Sequence, residues 1–157
     1  MQKISPCLWF DNNAEEAVDF YLSIFKDSKI ISVLRYGDAG PGPTGSVMAI
    51  TFLLEGQEFM ALNGGPFFTF SPAISLFVKC ETQEEIDELW EKLSAGGTKE
   101  RCGWLRDRYG VSWQIVPPVL GELLQSQDGN ASKRVTEAML KMDKLDIQAL
   151  LEASGQR

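Results

Sequence analysis

Histidine is absent from all 157 residues of this sequence. Histidine is the side chain that most readily exchanges a proton near neutral pH, and it is the commonest ligand of transition metals in proteins. Its absence excludes histidine-based acid–base catalysis and histidine-ligated metal centres.

Cysteine is scarce as well. The chain has three cysteines, Cys7, Cys80 and Cys102, which are far apart and form no C-x-x-C pair. An odd, scattered set argues against a disulfide framework and against a structural zinc site. We therefore expect reduced thiols and a cytoplasmic location. Because Cys7 and Cys80 stand in apolar, strand-like stretches, we interpret them as small core residues.

Positive charge and long apolar runs are also lacking. The net charge of −7 would repel a phosphate backbone, so we expect no nucleic-acid partner. No stretch approaches the roughly 18 to 20 apolar residues of a membrane span, and the N-terminal apolar run is too short for a signal peptide. We expect no membrane association. The hydrophobic content of 44% is ordinary for a globular domain.

What is present is one order of elements, repeated. Module one, residues 1–66, reads as strand 4–10, a helix capped at 11–13, strand 28–36 and a hairpin of strands 46–54 and 57–62. Module two, residues 73–118, reads as strand 74–80, a helix from the Thr82 cap to 93, strand 98–102 and a hairpin ending in strand 111–116. Short helices follow at 119–125, 131–142 and 146–153, within a C-terminal segment 119–155. The sequence predicts an α+β fold of tandem βαβββ modules followed by a helical segment.

The repeat also pairs individual residues. Aligning Gly56 with Gly110 at the two hairpins matches Phe59 with Trp113 and Met60 with Gln114. Strand alternation then places Phe59 and Trp113 on one face of their respective sheets, and Met60 and Gln114 on the opposite face. Since one helix covers one face of a module's sheet, the other face must be buried elsewhere or curled around a cavity.

Several motifs, in order, carry a resemblance to a known family: LWFDNNAEEAVDFY, ALNGGP, CETQEE, RCGWLRDRYGVSWQIVP and AMLKM. They resemble the PhnB-like branch, also labelled the 3-demethylubiquinone-9 3-methyltransferase domain, of the vicinal oxygen chelate superfamily, which includes glyoxalase I and bleomycin-resistance proteins. The match spans nearly the whole chain. It implies a glyoxalase/bleomycin-resistance-like fold of two curved half-barrel sheets, assembled as a homodimer with a small molecule in each cavity.

The metal chemistry of that superfamily does not transfer residue by residue. Its enzymes hold a divalent ion with His or Glu on the first and last strands of the modules. The last-strand Glu falls at Gln114 here, its counterpart in module one is Met60, and the PhnB-like pattern often has His where Phe67 stands. The first-strand positions 4–7 and 74–77 offer neither His nor a carboxylate. Amide and thioether groups are weak ligands for such ions, so we predict no metal and no cofactor.

The loop 40–45 fits G-x-G-x-x-G, but two of its variable positions are proline and a strand follows it. A phosphate-binding loop needs backbone N–H groups at a helix start. We interpret this stretch as a plain loop and the methyltransferase label as a family name.

The candidate ligand-binding residues centre on Gln114, a polar side chain in apolar company that needs either a structural partner or a ligand. The others are Met60, Asn63, Phe67, Trp104, Cys102 and Trp9. Six of the seven have a structural alternative: a tight loop for Asn63, core or dimer packing for the aromatic residues, a packed thiol for Cys102, and a hydrogen bond to a neighbouring strand for Gln114.

Two classes of function remain open. The first is a metal-free, homodimeric protein that binds an unidentified small molecule, with Gln114 as the polar contact. The alternative is an enzyme acting on a small substrate, such as a lyase, a dioxygenase or the methyltransferase of the family label, using Cys102, carboxylates or a metal held by residues other than the superfamily's usual ligands.

Overall fold

A computed structural model describes residues 2–156. The chain divides into two compact units, and the boundary in the sequence falls between Phe70 and Ser71. Unit one contains β1 (Cys7–Phe10), α1 (Ala14–Ile24), β2 (Ser28–Arg35), β3 (Val47–Leu54) and β4 (Gln57–Asn63). Its four strands form one sheet in the order β1-β4-β3-β2. β1 runs parallel to β4, whereas the other pairs are antiparallel.

Unit two repeats this order with β5 (Ser75–Lys79), α2 (Gln83–Ser94), β6 (Thr98–Lys99), β7 (Trp104–Arg106) and β8 (Ser112–Val116). Its sheet has the order β5-β8-β7-β6, again with a parallel pair of first and last strands. Three helices follow: α3 (Pro118–Leu124), α4 (Gly129–Met139) and α5 (Ile147–Ser154). The predicted α+β fold of two βαβββ modules and a C-terminal helical segment is confirmed.

In each unit the helix covers one face of the sheet. In unit one, Phe52 and Phe59 stack with ring centroids 5.6 Å apart and are buried. In unit two, α2 packs on β7 and β8, where Leu105, Trp113 and Ile115 are buried. This is the alternation that the sequence predicted for β4 and β8.

The prediction for Cys7 was wrong, because its side chain is exposed. Every residue of β1 is apolar, so the sequence does not reveal which alternate set faces the helix. Leu8 and Phe10 supply the buried set, and Cys7 takes the opposite face. Cys80 is buried, as predicted.

The two helices begin differently. Thr82 caps α2 by accepting a hydrogen bond from the Glu85 N–H at 3.2 Å, as predicted. Asn13 makes no such bond at the start of α1. Instead the N–H of Ala14 donates to Oδ1 of Asn63 at 2.9 Å, so the cap comes from the end of β4.

Two strands are three residues shorter than the sequence predicted. β1 starts at Cys7, one residue after Pro6, whose carbonyl still accepts from the N–H of Met60 at 2.9 Å. β6 ends at Lys99 because the chain turns at Cys102, which has a left-handed φ of 60°. Over residues 2–156, no helix combines the length and apolar character that a membrane crossing requires.

Candidate functional site

The face of unit two opposite α2 carries Gln114 at its centre. Gln114 is the direct partner of Phe77 on β5 and of Trp104 on β7. Directly paired residues project from the same face of a sheet. The three side chains therefore form a row across three strands, with the amide between two aromatic rings. Phe77 is 53% exposed, and Gln114 and Trp104 are partly buried.

The amide of Gln114 is tethered to the neighbouring strand by one hydrogen bond. Its Nε2 donates to Oγ of Ser75 on β5 at 2.9 Å. Within the part of the chain that the structure describes, no donor is bound to its Oε1. The hydrogen bond to a neighbouring strand, the structural alternative for Gln114, is thus present, and it leaves Oε1 of the amide without a donor.

The corresponding row in unit one is Cys7, Met60 and Thr51, on β1, β4 and β3. Trp9 projects from the same face, two residues after Cys7. This row offers a thiol, a thioether and a hydroxyl in the positions that hold Phe77, Gln114 and Trp104 in unit two.

Trp9 anchors the loop that follows β4. Its indole Nε1–H donates to the carbonyl oxygen of Gly65 at 2.9 Å, and its ring meets Phe68 edge to face with centroids 4.9 Å apart. Phe67, in the same loop, is 77% exposed. Trp9 on β1 therefore contacts the loop that carries Phe67.

Asn63 is engaged at both ends of its side-chain amide. Oδ1 accepts from the Ala14 N–H, and Nδ2 donates to the Val47 carbonyl at 3.1 Å. The hydroxyl of Tyr36 also donates to the Asn63 backbone carbonyl. A ligand would have to compete for these bonds, so the structural part of Asn63 is to join α1, β3 and β4.

Cys102 lies in the turn before β7. Its Sγ donates to the Met139 carbonyl at the end of α4 at 3.5 Å, and its N–H donates to the Met142 carbonyl at 2.8 Å. The residue therefore contacts the C-terminal helices, two positions before Trp104.

The glycine-rich loop 40–45 packs on an aromatic ring. A Cβ added at Gly40 or Gly42 would lie within 2.7 Å or 2.4 Å of ring atoms of Tyr36. The two glycines allow the loop to cross the Tyr36 ring closely. This packing explains the G-x-G spacing without a bound phosphate.

Phe77 and Ser75 are the site residues that sequence reasoning missed. Both lie on β5, and the parallel register of β5 with β8 brings Phe77 beside Gln114 and Ser75 within its reach. The available signal was the repeat itself. One Ile-Ser pair precedes β1, and the serine of the second Ile-Ser pair is the first residue of β5.

The donor groups on the two open faces do not fit a hard divalent cation. The row positions hold a thiol, a thioether and a hydroxyl in unit one, and a phenyl ring, an amide and an indole in unit two. Mg²⁺, Mn²⁺ and Ca²⁺ prefer carboxylate and carbonyl oxygens in greater number. Residues 2–156 contain no group of three His, Cys, Asp or Glu side chains arranged to hold a metal.

Paired βαβββ units with an open sheet face define the class of glyoxalase/bleomycin-resistance-like folds, and the comparisons with known proteins agree. The profile of the family described as 3-demethylubiquinone-9 3-methyltransferase matches residues 2–116. The chain belongs to this family.

Solved structures extend the likeness. The PhnB protein from Bacillus cereus is 46% identical, with 74% of this chain and 99% of that chain covered and a TM-score of 0.68. A protein from Pseudomonas aeruginosa shares the fold at 22% identity, with 74% and 98% covered and a TM-score of 0.62. The fosfomycin resistance protein FosX from Listeria monocytogenes, complexed with Mn(II) and sulfate, shares it at 15% identity, with 80% and 98% covered and a TM-score of 0.53. No curated protein matches this chain.

Proposed function

We propose that this protein binds a small neutral molecule on the open face of unit two, with Gln114 as its polar contact and without a divalent metal. The observation that carries the proposal is the Gln114–Ser75 hydrogen bond, which orients an amide between Trp104 and Phe77. Orientation before binding reduces the entropy lost when a ligand docks.

The same geometry defines the ligand chemistry. Oε1 of Gln114 and the second hydrogen of its Nε2 are both unengaged within residues 2–156, so a ligand hydroxyl, which can donate to the oxygen and accept from the N–H, matches this amide. The indole of Trp104 and the phenyl ring of Phe77 offer flat apolar surfaces on either side, which suit a planar aromatic ring. The occupant is therefore an aromatic molecule with a donor substituent, such as a phenol.

Mass spectrometry of molecules released from purified protein tests this proposal. Wild type is expected to release an aromatic, donor-bearing compound that is missing from Gln114→Leu prepared in the same way. Release of the same compounds in the same amounts from both proteins would contradict it.

The metal-free part has its own test, elemental analysis of protein purified without chelator. We expect well under one divalent ion per chain, because the row positions lack carboxylates. About one Zn, Mn, Ni or Fe per chain would overturn this part of the proposal.

The proposal includes a homodimer in the cytoplasm. β2 is an edge strand with four large apolar side chains between 41% and 57% exposed: Ile30, Ile31, Val33 and Leu34. An edge of this kind is normally covered. Sedimentation velocity at micromolar concentration should give a dimer, and a monomer would contradict the assembly.

A further inference from the structure

The C-terminal helical segment lies outside the part of the chain that the family profile matches, which ends at residue 116. Its helices form a small core together with the last residue of β8; the core residues are Val116, Leu120, Leu123, Val135, Leu145 and Leu150. The segment is thus a packed element of unit two, and its contacts with the rest of the unit indicate its role.

One of its two sets of polar contacts is with the turn 100–103, between β6 and β7. The N–H of Cys102 donates to the Met142 carbonyl at 2.8 Å, and the N–H of Gly103 donates to the Asp143 carbonyl at 2.7 Å. Arg101 adds a bond from Nη1 to the Lys141 carbonyl at 3.2 Å. Three successive residues of the turn are therefore bound to three successive carbonyls of the link between α4 and α5.

The turn has an unusual backbone that needs such support. Cys102 and Gly103 are both left-handed, with φ of 60° and 82°. A non-glycine residue in this region is retained when its surroundings over-determine it. A Cβ at Gly103 would lie 2.9 Å from Leu145, so this buried leucine packs directly on the turn.

The link is itself fixed to α2. Nε2 of Gln83 donates to the Leu145 carbonyl at 3.0 Å, while its Oε1 accepts from the N–H of Ile147 at 2.8 Å. Nζ of Lys144 lies 2.9 Å from Asp87 Oδ1. The hydrogen bond from Gln83, which has the larger effect, and the one from Lys144 lower the pKa of Asp87. The carbonyls that hold the turn are thereby anchored on the helix that covers the sheet.

Trp104 is the residue that follows the turn, and it is the direct partner of Gln114. β7 has three residues, so it makes few backbone hydrogen bonds to the neighbouring strands. These few bonds do little to fix the backbone of Trp104, from which its indole projects. We propose that docking of the C-terminal segment positions Trp104 beside Gln114 and so sets the affinity of the open face. The statement about affinity rests on the proposed function, whereas the statement about Trp104 does not.

Two leucines of the same small core provide a matched pair of variants. Leu145 and Leu150 are both fully buried, but Leu145 touches Gly103 whereas Leu150 lies on α5. Leu145→Ala and Leu150→Ala should lower the thermal midpoint by similar amounts, because each leaves a cavity of similar chemistry. A purely structural role of the segment predicts that the two variants behave alike in every other respect.

The first readout is the indole N–H signal of Trp104 in ¹⁵N-labelled full-length protein, assigned with Trp104→Phe. The second is the dissociation constant of 4-ethylphenol, a neutral phenol used as a probe. We expect Leu145→Ala, but not Leu150→Ala, to shift the Trp104 signal. The same variant should raise the dissociation constant of 4-ethylphenol by about fivefold or more, or roughly 1 kcal/mol in binding free energy.

Equal shifts of the Trp104 signal in both variants, or no shift in either, would overturn the positioning role. If an alanine variant does not fold, Leu145→Val and Leu150→Val make the same comparison with a smaller cavity. If wild type does not bind 4-ethylphenol, the ligand chemistry under the proposed function fails, while the Trp104 signal still decides the coupling.

Discussion

The indole Nε1–H of Trp113 donates to Oδ2 of Asp107 at 2.9 Å, and both side chains are buried. The other carboxylate oxygen of Asp107 accepts from the N–H groups of Tyr109 and Val111 at 2.9 and 3.0 Å. One carboxylate thus holds the β7–β8 turn and fixes the core face of β8. With the core face fixed, Gln114 must project from the opposite, open face.

The first prediction concerns Asp107→Asn. An asparagine keeps one acceptor oxygen, but its NH₂ group faces an N–H donor that the second carboxylate oxygen binds in the wild type. At least one buried hydrogen bond is therefore lost. We expect a loss of about 2–3 kcal/mol in the free energy of unfolding, measured with urea.

The control for that change is Asp38→Asn. Oδ1 of Asp38 accepts from Thr44 in an exposed loop, and the loss should stay within about 0.5 kcal/mol. Equal, small losses in the two variants would show that Asp107 does not hold the hairpin.

The second prediction compares two glycines. In Gly103→Ala the new methyl group meets the Ile115 carbonyl oxygen at 2.8 Å in a backbone with φ of 82°. We expect a loss of about 2 kcal/mol or more in the free energy of unfolding. Gly121→Ala lies in α3 with nothing within 4 Å, and it should gain about 0.5–1 kcal/mol. Thermal or urea denaturation that ranks the two variants in the opposite order would refute this prediction.

The paired modules were predictable because the signal is local. Gly56 and Gly110 mark the hairpins, and the structure pairs Phe52 with Phe59 as it pairs Leu105 with Trp113. Counting from each glycine therefore locates the buried face of β4 and of β8.

What the sequence could not show depends on contacts between distant segments. The register of β5 against β8, which brings Ser75 to Gln114, leaves no local pattern in either strand. The cap of α1 by Asn63 is likewise a contact across 49 positions of sequence. The polar residues 11–13 indicated a local cap instead. The face of Cys7 was ambiguous because all its β1 neighbours are apolar.

The third prediction concerns thiol reactivity. Burial, reinforced by the nearby charge of Glu85, raises the pKa of Cys80 to about 12. The reactive thiolate forms only as the pH approaches that value, so at pH 8 the thiol stays protonated. Peptide mapping after brief treatment of native protein with iodoacetamide at pH 8 should find Cys7, which is exposed, modified well before Cys80. Cys80 reacting as fast as Cys7 would contradict this.

The most direct test of the binding site is a titration of 4-ethylphenol into wild type, Gln114→Leu and the control Gln57→Leu, followed by NMR. Gln57 is an exposed residue at the start of β4, so its variant makes the same chemical change at the hairpin of unit one. The titration also includes 4-ethylanisole, which lacks the donor, and 4-ethylcyclohexanol, which lacks the ring.

We predict that 4-ethylphenol shifts the NMR signal of the Gln114 side-chain amide and binds Gln57→Leu as tightly as it binds wild type. Gln114→Leu should bind it about tenfold more weakly, with a loss of about 1 kcal/mol or less in the free energy of unfolding, since one partly exposed hydrogen bond is lost. Each analogue should bind wild type about tenfold more weakly than the phenol. Undiminished binding to Gln114→Leu, with no shift of the Gln114 amide signal in wild type, would contradict a binding site at Gln114.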